Sequence, residues 1–308
     1  MENLKKVLFI GNGIHRAFNG EKESWWNLLM DVCREMKLSF SEFPSNEVSL
    51  SLLMSFIKSN FYKNYPKGNF YEELNKILKK RYDSPEYTTH LNCINDKIWN
   101  CFDTVITTNV ESRFENLSKM VKVVAGKQTK NSTFRKVSLK YDGKEKDLFY
   151  IHGNIRNKKS LCFEMTRYLS EARALYGFVF EDKKEEKHKA ACYSALVKGK
   201  TLQSNESWIE CIFFRDVDII GQSLSSDELD VWWALNFRKI FEGVRSQKQT
   251  QEKLNTIRYF YPSFENSAKD LNTRMLLNSL NVNNICIPCS SYREFYDVYF
   301  NDYAPTSC

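Results

Sequence analysis

The sequence predicts an α/β fold: a Rossmann-like, doubly wound, mostly parallel sheet carrying two helical insertions. Three observations point to it. Short apolar or β-branched runs recur at 4–10, 103–108, 217–221, 257–261 and 282–288, and most lead into a stretch with helical character. The first run stops at Gly11-Asn12-Gly13, a turn that lets backbone approach closely. Polar residues gather just past the C-terminal ends of these runs, where open α/β sheets bind their ligands.

The totals agree with one domain spanning 1–308. A chain of 308 residues with 42% hydrophobic and 14% aromatic content can bury a sizeable core. No apolar run approaches the roughly eighteen residues a membrane span needs. Lys5-Lys6 followed by VLFIG is too short, and too soon broken by glycine, for a leader peptide. Nine scattered cysteines fit a reducing compartment, so a cytoplasmic location is expected. Cys286-Ile287-Pro288-Cys289 has metal or redox spacing, but it has no second pair and reads as part of a buried strand, so no metal is expected. The net charge of +7 is spread over several lysine-rich stretches that read as solvated faces. It suits an anionic small molecule or an acidic partner; nucleic acid is possible but not indicated, and no membrane is expected.

Taken in order, LKKVLFI at 4–10 is the first strand, and Gly11-Asn12-Gly13 follows with the third glycine of the dinucleotide fingerprint missing at Arg16. Ser24 reads as the N-cap of a helix with Trp25, Leu28, Leu29, Val32 and Met36 at helical spacing. A helical insertion covers about 40–99, interrupted by Pro44, Pro66 and Pro85. The run DTVITTNV at 103–110 is a central strand that delivers Thr107-Thr108-Asn109 to a crevice, with a helix to about Met120 and an apolar run at Val121–Ala125 beyond it. Asn109 is a candidate site residue with Thr108 beside it; as a turn residue it would simply cap the next helix.

Val137–Tyr141 and Leu148–His152 flank Asp142-Gly143, a hairpin signal with a loop lengthened by the charged residues between. His152 stands before Gly153 at a strand end, a candidate general base because imidazole titrates near neutral pH; the alternative is a hydrogen-bonded structural histidine. A second lysine-rich helical insertion covers about 158–205, with KEEKHK as a solvated face. Val217–Gly221 is a strand, and Gln222–Asp227 leads into a helix at Glu228–Phe241, offering hydroxyls and amides to a ribose or phosphate. Two strand-helix units follow, Ile257–Tyr261 with 264–280 and Val282–Pro288 with 291–300.

In this order FIGNGIHRAFNG, SWW, VITTN, YIHGN and DIIGQSLSSDE resemble the sirtuin-like domains of bacterial antiphage defence proteins, relatives of the sirtuin deacylases that mostly act as NAD+ hydrolases. The likeness covers roughly 4–36, 103–118, 147–155 and 216–300 and leaves out both insertions. It implies that Gly11, Asn12 and Gly13 hold dinucleotide phosphates, that Asn109 contacts the nicotinamide ribose and that His152 is catalytic. By the same likeness Gly221 and Ser223 line the adenosine side with Asp227 nearby, while Ser24 and Trp25 serve packing. NAD+ would be the substrate, without a metal.

The chain departs from the deacylases in lacking their paired-cysteine zinc module and their proline-aspartate-phenylalanine-arginine segment, which disfavours deacylation but not cleavage of NAD+. The expected activity is therefore hydrolysis of NAD+ to nicotinamide and ADP-ribose, as an antiphage effector that depletes the cell of NAD+. A non-catalytic NAD+ or ADP-ribose sensor and an NAD-dependent deacylase are the alternatives. The resemblance also implies restraint by a regulatory partner protein or by homo-oligomerisation.

Overall fold

The computed structural model describes residues 6–19, 24–38, 49–82, 94–111, 113–115, 120–124, 135–180, 207–225, 227–247 and 255–305. The strands are β1 (Val7–Ile10), β2 (Thr104–Thr107), β3 (Met120–Val124), β4 (Lys136–Tyr141), β5 (Lys144–Tyr150), β6 (Val217–Ile220), β7 (Ile257–Pro262) and β8 (Asn283–Ile287). The helices are α1 (Gly13–Asn19), α2 (Trp25–Glu35), α3 (Leu50–Asn64), α4 (Phe70–Tyr82), α5 (residues 94–101), α6 (Met165–Phe180), α7 (Trp208–Phe214), α8 (Leu229–Gln247), α9 (Ala268–Ser279) and α10 (Tyr292–Val298).

All strands join one sheet in the order β3-β4-β5-β2-β1-β6-β7-β8. From β5 to β8 every neighbour is parallel, whereas β4 and β3 add an antiparallel hairpin edge. Numbered among themselves, the parallel strands run 3-2-1-4-5-6, the doubly wound order whose switch point lies between β1 and β6.

Every residue of β1 is fully buried, which explains its unbroken apolar run: a central parallel strand is covered on both faces. Its residues alternate between two cores. Leu8 and Ile10 pack with α2 to α5 and α10, whereas Val7 and Phe9 pack with α6 to α9. The first insertion therefore belongs to one face of the sheet, and α6, the described helix of the second, belongs to the other. Residues 39–48 and 83–93, with Pro44 and Pro85, and residues 181–206, with KEEKHK, lie outside the described residues.

Local chemistry explains most boundaries. Ser24 caps α2 by accepting from the Asn27 amide at 3.2 Å, as its position predicts. Pro66 falls in the turn between α3 and α4, where its missing N–H costs nothing.

Three expectations need correction. Among the described residues after β2 there is a 3-10 turn at Arg113–Glu115, and Met120 opens an edge strand instead of closing a helix; residues 112 and 116–119 lie outside the described residues. The hairpin loop is only Asp142-Gly143, both at positive φ (49° and 77°), because the charged residues after it belong to β5. They are tolerated there through their partners: Lys146 donates to the Phe102 carbonyl at 2.8 Å and pairs with Asp103 at 3.0 Å, and Ser138 donates to Asp147 at 3.2 Å. Finally, β8 is an edge strand with Cys286 exposed and Cys289 half-buried, so that segment is not a buried strand. Among the described residues no helix is long and apolar enough to cross a membrane.

Gly153, directly after His152, sits at φ 91°, and a Cβ there would lie 2.2 Å from the Ser160 carbonyl oxygen. Both the left-handed backbone and the clash oppose any side chain. Gly153→Ala is expected to lose about 2–4 kcal/mol of stability in urea unfolding. A variant as stable as the parent would contradict this geometry.

Candidate active site

At the switch point the loops after β1 and β6 are pressed together. Gly11 N–H donates to the Ile220 carbonyl at 3.2 Å, and Gly13 N–H to the Gly221 carbonyl at 2.7 Å. A Cβ on Gly13 would lie 2.7 Å from Gly221 Cα, and one on Gly11 would lie 1.7 Å from Gln222 Oε1. Glycine is needed here for backbone-to-backbone packing, and both N–H groups are used within the protein.

The corner after β2 stitches these loops to the rest of the sheet. Thr107 Oγ1 donates to the Ile10 carbonyl at 2.9 Å, and Thr108 Oγ1 donates to Gln222 Oε1 at 3.1 Å. Asn109 Nδ2 donates to the Gly11 carbonyl at 3.2 Å. Thr108 and Asn109 are each only 1% exposed, so they support the crevice from behind.

In front of these loops opens a cavity of about 740 Å³, within the size range of small-molecule sites. Of the residues singled out by sequence, Asn12, Gly13, His152, Gly221, Ser223 and Asp227 line it. Gly11, Thr108 and Asn109 do not. Trp25 and Phe163, in edge-to-face contact at 5.6 Å between ring centres, form an aromatic wall, so Trp25 borders the cavity as well as packing. Asp227 has a structural duty too: it accepts from the Leu50 amide at 2.7 Å and from Ser49 Oγ, tying the start of α3 to the loop after β6.

No protein-family model matches this chain, and no curated protein matches it. What the site can do therefore has to be read from its own groups.

His152 is 3% exposed and is held on both sides. Its Nε2 lies 3.2 Å from Asp230 Oδ2, and its Nδ1 lies 3.3 Å from the Tyr168 hydroxyl. Asp230, itself 1% exposed, accepts from Nε2–H; in the neutral ring the basic lone pair is then on Nδ1, facing Tyr168. Burial pulls the imidazole pKa down, but the charge and hydrogen bond of Asp230, joined by the charge of Glu228, outweigh it and leave the pKa above its ordinary value of 6.5. Glu228 also lines the cavity, and burial lifts its carboxyl to about 7 against the pull of the His152 charge. Behind His152, Arg135 pairs with Glu171 of α6 and donates to the Ile151 carbonyl at 3.1 Å, fixing the end of β5.

Sequence reasoning found His152 but missed Tyr168, Glu228, Asp230 and Arg16, all but Asp230 of which line the cavity. Glu228 and Asp230 stand at the start of α8, where acidic residues are expected for capping and dipole reasons alone. Tyr168 looks like one more aromatic of a helix. The one faint signal was three acids close together, Asp227, Glu228 and Asp230, just after a strand glycine.

A raised imidazole pKa means that the His152–Asp230 attraction stabilises the fold fully below the ordinary imidazole value and is lost as pH rises through the raised one. In a nitrogen-detected NMR titration His152 is expected to titrate above 6.5. In Asp230→Asn the burial penalty is opposed by the Glu228 charge without that of Asp230, and the value should fall below that of the parent. Unchanged titration in that variant would remove Asp230 as the controlling charge.

Proposed function

We propose that this chain is a sirtuin-like NAD+ glycohydrolase that cleaves NAD+ with water to nicotinamide and ADP-ribose. The observation that carries the proposal is His152: a buried imidazole backed by Asp230, bordering a cavity at the switch point of a 3-2-1-4-5-6 sheet and facing Glu228.

In the proposed reaction the bond between ribose C1′ and the nicotinamide nitrogen breaks, and its electron pair leaves with the neutral nicotinamide. The ribosyl group passes through an oxocarbenium-like state that a nearby carboxylate stabilises, a role suited to Glu228. Water forms the new bond to C1′, and its proton goes to His152 Nδ1, directly or through the Tyr168 hydroxyl. Asp230 acts as a positioning residue that holds the ring and its tautomer. The Trp25 and Phe163 wall is suited to a flat heteroaromatic ring. Asn109, which the resemblance casts as the ribose contact, would act indirectly by holding the Gly11 carbonyl. Depletion of cellular NAD+, as by an antiphage effector, is the biological consequence of the proposal.

Both active forms, neutral His152 and ionised Glu228, gain population as pH rises. Nicotinamide release should therefore increase from about pH 6 to about pH 8. His152→Ala and Glu228→Gln should each reduce release by about a hundredfold or more while ADP-ribose still binds. Undiminished release in His152→Ala would sink the mechanism. Binding of ADP-ribose with no release by the parent protein, under any condition, would point to a sensor instead.

A further inference from the structure

The two insertions pack on opposite faces of the sheet, yet they meet beside the cavity through a buried ion pair. Glu164, 5% exposed, stands immediately before α6. Lys58 of α3 donates to both oxygens of its carboxylate, at 2.9 and 2.7 Å, and the Tyr71 hydroxyl of α4 donates to Oε1. The Tyr71 ring is flanked by two cations, with Lys58 Nζ 5.1 Å and the Arg167 guanidinium carbon 5.2 Å from its centre. A second hold comes from α3, where Ser55 Oγ accepts from the Met165 N–H at 3.2 Å.

Glu164, Lys58 and Tyr71 do not line the cavity, whereas Phe163 just before Glu164 and Tyr168 one turn after it do. The Glu164 carbonyl accepts the Tyr168 N–H at 3.1 Å. The residue that the first insertion grips is thus one backbone hydrogen bond from the residue whose hydroxyl meets His152 Nδ1 at 3.3 Å. The charges that act on His152 belong to other elements: Asp230 to α8, Glu228 to the position before it and Arg135 to the position before β4.

Taking a carboxylate and an ammonium out of water is costly, and apolar side chains of similar volume commonly stabilise a fold as well or better. What the polar cluster adds is one defined register between α3, α4 and the start of α6, since hydrogen bonds to both carboxylate oxygens do not survive sliding. We propose that Glu164 is a positioning residue of the active site: held by Lys58 and Tyr71, it fixes the first turn of α6 and so keeps the Tyr168 hydroxyl against His152. Through this contact the first insertion supplies no reacting group; it sets where one stands. The geometry applies to any reaction that uses His152, and its effect on turnover rests on the NAD+ reading above.

The test is nitrogen-detected NMR of His152 in the full chain at a pH where the ring is neutral, where the Nδ1 resonance reports a hydroxyl donating to its lone pair. Melting temperature and nicotinamide release from NAD+ are measured beside it. Tyr168→Phe gives the displacement of the resonance that loss of the hydroxyl produces; no displacement there would overturn the contact itself. Glu164→Ala and Lys58→Met are expected to move the resonance the same way, by about half as much or more, and to lower kcat about tenfold. Glu164→Gln, which keeps an acceptor for Lys58 and Tyr71, should fall between parent and Glu164→Ala. Glu72→Gln removes an exposed pair of 3.3 Å between α4 and Lys158 and should change neither reading. A parental resonance or a parental kcat in Glu164→Ala and Lys58→Met, even with a lowered melting temperature, would overturn the assignment and leave the pair a structural one. Should those variants fail to fold, the triple variant Lys58→Met, Tyr71→Phe and Glu164→Leu, apolar throughout, is held to the same criteria. No nicotinamide release by the parent would overturn the hydrolase reading, and the resonance alone would then decide this assignment.

Discussion

The hydrogen bond of 2.7 Å from Gly13 N–H to the Gly221 carbonyl fixes the geometry on which everything else at the switch point depends. It joins the loops that leave the two central strands, β1 and β6, at a separation no Cβ fits. With those loops locked, Thr108 and Asn109 can anchor to Gln222 and Gly11 from the neighbouring strand. The result is a rigid floor made of backbone and short polar side chains, on which longer side chains from α1, α6 and α8 are arranged. Rigidity of this kind holds catalytic groups in position without a bound ligand to organise them.

On that floor the protein carries an electrostatic compromise. Burying His152 favours its neutral form, and burying Glu228 does the same for the carboxyl. Asp230 decides the balance by pulling the imidazole toward the charged form. The imidazole and the Glu228 carboxyl are thus both raised, His152 above 6.5 and Glu228 to about 7. A site without Asp230 would lose the largest charge that opposes burial and one of the two groups that hold the ring.

Much of the fold was legible in the sequence because parallel strands buried on both faces leave a nearly unbroken apolar run, as in VLFI and, with one aspartate that pairs with Arg258, in VDII. The hairpin turn was legible at Asp142-Gly143, but its length was not, because the pairing of Lys146 and Asp147 across the sheet is invisible in the charges alone. His152 could be found from its place before a strand-end glycine. Glu228, Asp230 and Tyr168 could not, since they reach His152 from helices 76 to 78 residues ahead and 16 residues ahead in the chain. Asn109 shows the converse: a residue at the right strand end whose side chain turns inward to serve the backbone.

Asp227 joins the loop after β6 to α3, a helix that enters the chain between the first and second strands and contributes Leu50 and Met54 to the cavity wall. Part of the wall is thus borrowed from an insertion, while the floor, His152 and Glu228 come from the sheet and its own connections. Such a division is modular. An insertion can be exchanged or reshaped over generations, altering which molecules are admitted, while the chemistry beneath it is inherited unchanged.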